Sequence, residues 1–100
     1  MVQLTRVAAN ELRDAGVRVN AICPGFIETP MADRSRPAYE ELLPMSVDEL
    51  ITLKQGRWGT TLEVAELAAF LASGEAALIT GAAVAIDGGV TASLILVRSG

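Results

Sequence analysis

The sequence predicts an α/β fold built on parallel strands, and three observations predict it. Apolar residues recur at helical spacing in residues 1–15 and again in residues 60–73. A short, nearly continuous apolar run follows each, Val17 to Cys23 and Ile79 to Asp87, which suits strands buried on both faces of a sheet. The two runs are joined by a long crossover that includes a helix, which is the connection parallel strands need and which runs right-handed. The expected order is helix, strand, short helices, helix, strand.

Taken in order, Met1 to Ala15 reads as a helix with Leu4, Val7, Ala8 and Leu12 inward and Gln3, Arg6, Asn10 and Arg13 on the other side. Gly16 is a natural stop because it tolerates positive φ. The pattern is already running at Met1 with no capping residue before it, so this segment reads as the back end of a longer helix. Val17 to Cys23 is the first strand, ended by Pro24-Gly25. From Phe26 to Lys54 three prolines, Pro30, Pro37 and Pro44, divide the chain. Pro37 suits a first helical position, giving a short helix through Leu43. Ser46 and Glu49 have capping-box spacing for a second short helix carrying Val47, Leu50 and Ile51. This excursion is expected to be mobile and partly helical rather than a packed layer.

Gln55 to Gly59 reads as a connection. Thr60 and Glu63 form another capping box, and the helix runs to Ser73 with Val64, Leu67, Ala68 and Leu71 inward and Gly74 as its C-cap. Ile79 to Asp87 is the second strand, closed by Gly88-Gly89. The tail from Val90 to Gly100 holds Leu94-Ile95-Leu96-Val97, either a further strand or a sticky end. No internal repeat or low-complexity segment interrupts the order.

Composition bounds the function. One hundred residues suit one domain at most, and a fold of this size buries roughly two-thirds of its unfolded surface. The hydrophobic fraction of 51% and net charge of −4 argue against intrinsic disorder. Eight basic residues against twelve acidic ones form no basic stripe, so nucleic acid is not the expected partner. No apolar run reaches the ~20 residues that span a bilayer, and no signal-peptide pattern opens the chain, so no membrane partner is expected. The single cysteine, Cys23, makes the cytoplasm the default location. With no histidine, a histidine base is excluded, as are zinc sites built on histidine and cysteine. No metal ligand set and no catalytic residue is assigned.

Four segments together resemble the short-chain dehydrogenase/reductase family, closest to its 3-oxoacyl-carrier-protein reductase-like branch. Leu4-Thr5-Arg6 with Ala9-Asn10-Glu11-Leu12 is similar to the end of the family's catalytic helix. Val17-Arg18-Val19-Asn20-Ala21-Ile22-Cys23-Pro24-Gly25 resembles its sixth strand and Pro-Gly turn, and Phe26-Ile27-Glu28-Thr29-Pro30-Met31 the segment that follows. Arg57-Trp58-Gly59-Thr60, the helix after it, and Ile79-Thr80-Gly81 through Asp87-Gly88-Gly89 resemble the last helix and strand. The likeness covers residues 1–92 as a partial domain, with 93–100 a divergent tail. It implies an α/β fold that is the C-terminal part of a Rossmann-like doubly wound parallel sheet, with its cofactor along the carboxyl ends of the strands. It further implies that Pro24, Gly25, Ile27 and Thr29 lie beside the nicotinamide of NAD or NADP. The Ile27 backbone would bond the carboxamide, Thr29 would add a hydroxyl, and Gly25 would make room for the ring.

The departures from the family pattern matter as much. No Thr-Gly-x-x-x-Gly-x-Gly turn is present; Thr80-Gly81 begins like one, but Ala85 stands where the second glycine is required. The family's Tyr-x-x-x-Lys pair is absent too, since Tyr39 is followed four residues on by Leu43. The expectation is a C-terminal fragment of an NAD(P)-dependent oxidoreductase acting on a small carbonyl or alcohol substrate, inactive alone. The alternative is an interaction module or remnant that forms a homo-oligomer or pairs with a full-length relative. Thr61 and Leu62 replace the proline and acidic residue usual after Thr60. Cys23 reads as a small buried hydrophobe rather than a reactive thiol. Asp87 reads as a turn residue rather than an acid, and Trp58 as a packing residue rather than a ligand contact. Tyr39 and Met45 either line a substrate pocket or anchor the short helices.

Overall fold

The computed structural model describes residues 1–92, so the Leu94–Val97 segment lies outside the described residues. Six principal elements follow in order: α1 (Val2–Leu12), β1 (Ala21–Pro24), α2 (Pro30–Leu42), α3 (Val47–Gln55), α4 (Thr61–Ala72) and β2 (Ala83–Ile86). Strands β1 and β2 pair side by side. Ala21 N–H donates to Ala82 C=O at 2.9 Å, and Gly25 N–H to Ile86 C=O at 3.1 Å. Both chains advance together between these bonds, so the pair is parallel, as the long crossover requires.

By its contacts the chain falls into two compact units, one made of Met1–Cys23 with Leu62–Ala85, the other of Pro24–Thr61 with residues 86–92. In the first unit, Gly16 stops α1 as its conformational freedom predicts: a 3₁₀ turn at Arg13–Ala15 ends there, with Gly16 at φ 75°. The face of α1 that is buried differs from the expected one. Thr5 and Ala9 are buried, whereas Leu4 is 70% exposed and Val7 and Leu12 also face out. Small residues allow the closest approach; a methyl placed on Gly81 would sit 3.5 Å from the Ala9 Cβ. Periodicity locates an apolar stripe but not what covers it. In α4 only Leu71 is buried, with Val64 and Leu67 half-buried and Ala68 exposed.

Both strands are shorter than their apolar runs. Before β1, one backbone bond, Gly81 N–H to Val19 C=O (2.7 Å), is flanked by side-chain bonds. Asn20 Nδ2 donates to Ile79 C=O (3.0 Å), Asn20 Oδ1 accepts from Ala82 N–H (3.0 Å), and Val19 N–H donates to the Thr80 hydroxyl (3.1 Å). Gly74 is not the C-cap expected of it; α4 ends at Ala72 and, after Ser73, Gly74 opens a 3₁₀ turn, Gly74–Ala76.

In the second unit the excursion differs from its expectation. The helix α2 begins at Pro30, not Pro37. Thr29 is extended and its Oγ1 accepts from Ala32 N–H at 3.1 Å, while Pro30 supplies a φ already suited to the first turn. Pro37 therefore falls inside the helix, where its missing N–H leaves the Asp33 carbonyl without its usual helical partner. Ser46 caps α3 as its spacing predicts, with Oγ accepting from Glu49 N–H at 3.1 Å. Val47, Ile51 and Gln55 form one buried stripe on α3, and Ile51 is 1% exposed, so this part of the excursion is core.

Candidate functional site

The turn after β1 is built from Pro24, Gly25, Phe26, Ile27 and Glu28. Ile27 forms a parallel bridge with Gly59, made by Gly59 N–H to Phe26 C=O (2.9 Å) and Glu28 N–H to Gly59 C=O (2.9 Å). Because the two ends of a trans peptide point in opposite directions, the N–H and C=O of Ile27 itself face away from Gly59. They lie on one side as an adjacent donor and acceptor, the pair that an amide group requires. Thr29 stands two residues on, half-buried, and among the described residues its hydroxyl only accepts, so its own proton is available to a further acceptor. Gly25 is half-buried and Pro24 exposed. The four expected residues thus fall on one short turn at the carboxyl end of β1, where bound nucleotides lie in open α/β sheets.

Gln55 is the residue sequence reading missed. Its place in the sequence reads as a connection, yet it ends α3 and is 7% exposed. Its Oε1 accepts from Phe26 N–H (2.8 Å), and its Nε2 donates to the carbonyls of Phe26 (2.9 Å) and Arg57 (2.9 Å). The available signal was a polar residue four positions after Ile51 and eight after Val47, on the buried face of a helix. The structure also gives Gly25 a reason within the protein: a Cβ there would meet Gln55 Oε1 and lie 2.7 Å from Asp87 Cβ.

Asp87 is a turn residue, as read. Its carboxylate accepts from Gly89 N–H (2.9 Å), Thr91 N–H (3.2 Å) and the Thr91 hydroxyl (2.7 Å). The Thr91 hydroxyl first, then the backbone N–H groups, hold its pKa below the ordinary carboxylate value. Cys23 is half-buried and unpaired by disulfide. Tyr39 is exposed and Met45 half-buried. In the first unit an open groove is lined by Gly16, Arg18, Ile22 and Leu71 among others. Its cation, Arg18, is already engaged with carbonyls of the chain itself.

Trp58 is held by polar contacts as well as by packing. Its Nε1–H donates to Asp48 Oδ1 at 2.8 Å, Arg36 donates to the same oxygen at 2.6 Å and to Asp33 at 3.3 Å, and the Arg36 guanidinium lies 5.4 Å from the indole centroid. This cluster ties α2 to α3 and to the chain after it. The Trp58 bond, then the Arg36 bond, hold the Asp48 carboxyl below its ordinary pKa. A lowered carboxylate pKa means the contribution is complete above about pH 4, the ordinary value, and is lost as pH falls through the lowered one. Trp58 is the only tryptophan. Its emission is therefore expected to change in a step below about pH 4, and Asp48→Asn is expected to abolish the step. An unchanged acid transition in Asp48→Asn would assign it to general unfolding instead.

A family model described as enoyl-(acyl carrier protein) reductase matches residues 1–91. The chain is 45% identical over 95 residues to oxidoreductase UcpA of Escherichia coli O157:H7, covering 91% of this chain and 35% of that protein. It is 44% identical over 89 residues to the short-chain dehydrogenase/reductase aba4 of Botryotinia fuckeliana, covering 89% of this chain and 34% of that one. Among solved structures, a point variant of actinorhodin polyketide ketoreductase with NADPH superposes with a TM-score of 0.78 at 36% identity, over 89% of this chain and 36% of that chain. ElxO with NADP bound gives 0.75 at 34% identity, over 92% and 36%. The chain spans about a third of the length of these relatives. The fold is the C-terminal part of a Rossmann-like parallel sheet, and the chain belongs to the short-chain dehydrogenase/reductase family.

Proposed function

We propose that residues 1–92 form the C-terminal part of a nicotinamide-dependent oxidoreductase domain that interconverts a carbonyl and an alcohol, with the rest of the chain a divergent tail. Pro24, Gly25, Ile27 and Thr29 face the nicotinamide of NAD or NADP, in a cytoplasmic setting. The observation that carries this reading is the adjacent donor and acceptor of Ile27, without a partner among the described residues and aimed away from the Gly59 bridge. It fits a carboxamide, which offers one acceptor and two donors. Solved relatives with NADPH or NADP support the choice of ligand. A bound nicotinamide supplies or accepts hydride. This chain's residues bind and orient it: the Ile27 backbone holds the carboxamide, and Thr29 donates its hydroxyl proton.

Alone, the 100-residue chain does not turn over, because it carries neither a Tyr-x-x-x-Lys pair nor the glycine-rich pyrophosphate turn. Titrating oxidised nicotinamide mononucleotide into the ¹⁵N-labelled chain should shift the amides of Gly25, Ile27 and Thr29 in a saturable way. No response there would sink the site. NADPH oxidation by the purified chain with any carbonyl substrate would sink the claim of inactivity.

A second reading is favoured by the open apolar side chains of the first unit, Leu4 and Leu62 among them. Here the chain pairs with a full-length relative or with itself. Co-purification with such a relative supports it, and a monomer that ignores one removes it.

A further inference from the structure

Gln55 uses a single side-chain amide to imitate a neighbouring strand. Its Oε1 accepts from the Phe26 N–H and its Nε2 donates to the Phe26 C=O, so both polar groups of one backbone residue are held from one side. A third bond, from Nε2 to Arg57 C=O, fixes the amide's own orientation. The side chain also runs between two glycines. A Cβ on Gly25 would meet its Oε1, and a Cβ on Gly88 would lie 3.0 Å from its Cγ and 2.5 Å from the Gln55 carbonyl. No buried polar side-chain atom among the described residues lacks a partner, so the amide is fully engaged.

The consequence falls on the next residue. The Phe26 C=O and the Ile27 N–H belong to one peptide plane and point in opposite directions. Whatever holds the Phe26 carbonyl therefore sets where the Ile27 N–H aims. Glu28 N–H, bonded to Gly59 C=O, does the same for the Ile27 carbonyl. Gly59 alone would hold the Phe26 carbonyl by one bond, about which the peptide can rock; Gln55 adds a second bond there and one on the preceding N–H.

We infer that Gln55 is a positioning residue for the nicotinamide carboxamide: it does not touch the ligand, but it fixes the direction in which Ile27 presents its donor and acceptor. This rests on the nicotinamide reading above. The cost of a small misalignment at a two-point contact is large, because hydrogen bonds weaken steeply with angle.

The test uses the ¹⁵N-labelled full chain, oxidised nicotinamide mononucleotide as the probe, and Gln55→Leu. Two quantities are read, amide hydrogen exchange without ligand and the dissociation constant from the Ile27 amide shift. In the variant, Phe26 N–H is expected to exchange at least tenfold faster while Glu28 and Gly59 N–H stay protected. The dissociation constant is expected to rise at least tenfold. An unchanged constant in a variant with Glu28 and Gly59 protected overturns the positioning role and leaves the nicotinamide site standing. A wild-type chain whose Ile27 amide ignores the probe overturns the site and the positioning role together. Should Gln55→Leu lose protection at Glu28 and Gly59, Gln55→Glu replaces it. That variant keeps the size and the acceptor but removes both donors, and the same outcomes decide.

Discussion

Arg18→Leu is expected to lower the stability of the chain by about 2–4 kcal/mol, a large share of what a domain of this size holds. The guanidinium donates through Nη1 to the carbonyls of Leu71 (2.5 Å), Ala76 (3.0 Å) and Ile79 (3.4 Å), and through Nη2 to that of Ser73 (3.2 Å). The last carbonyls of α4 have no partner within their own helix, and they carry the negative end of its dipole. No basic residue stands in the last turn of α4 to meet them. Arg18 supplies the charge from 53 residues away in sequence. Leucine keeps much of the aliphatic stem but takes the charged donor from all four carbonyls; those of Ser73, Ala76 and Ile79 keep one neutral donor each, from Ala76 N–H, Ile79 N–H and Asn20 Nδ2, while that of Leu71 is left unanswered. Arg18→Lys should fall between, since an ammonium cannot fan across so many carbonyls. The measurement is the urea midpoint by far-ultraviolet circular dichroism. A midpoint for Arg18→Leu equal to the wild type would show that water replaces the guanidinium without loss.

That a single arginine organises the end of α4 illustrates what the sequence could and could not disclose. Local chemistry was legible. Gly16 had to leave the helical region, Ser46 and Glu49 had capping spacing, and Asp87 stood before two glycines; each is found in that role. The parallel pairing followed from the length of the crossover. Where two local rules competed, the choice failed. Pro30 and Pro37 both suit a first helical turn, and only the Thr29 side chain, bonded to Ala32, decides for Pro30. Non-local chemistry was not legible at all. Arg18 sits in an apolar run and Gln55 near the end of a helix, and their partners lie far along the chain. The apolar stripe of α1 was found correctly as a stripe, but Leu4 and Val7 face outward, because a sequence pattern carries no information about which neighbour covers it. The candidate site residues rest on family likeness, and the geometry on which their proposed role stands, a bridge on one side of Ile27 and outward-facing groups on the other, has no sequence signature.

Gly25→Ala is expected to cost about 2–4 kcal/mol as well, and it separates two explanations of the glycine. Gly25 is not among the residues with positive φ, so backbone strain does not require a glycine there. Space does: an added Cβ would collide with Gln55 Oε1 and approach Asp87 Cβ to 2.7 Å and Asp87 Cα to 3.0 Å. Backbone at Asp87 cannot yield cheaply, because its carboxylate is tied to Gly89 and Thr91. The Gln55 amide must yield, and with it go its bonds to Phe26. If glycine is required for this packing, the loss appears in the free protein and is partly shared with Gln55. The double variant Gly25→Ala/Gln55→Ala should then cost less than the sum of the two single changes, since the truncated side chain makes room for the new methyl. If glycine serves only to admit a ligand ring, Gly25→Ala leaves the urea midpoint of the free chain unchanged and weakens only the nicotinamide mononucleotide titration. Strict additivity of two large losses would place the strain at Asp87 alone. The packing account gains from the contrast with Gly88, where φ of 61° and a Cβ only 2.5 Å from the Gln55 carbonyl require glycine on both grounds. Gln55 is thus hemmed by Gly25 through space and by Gly88 through space and conformation, and both glycines are needed before its amide can hold the Phe26 backbone.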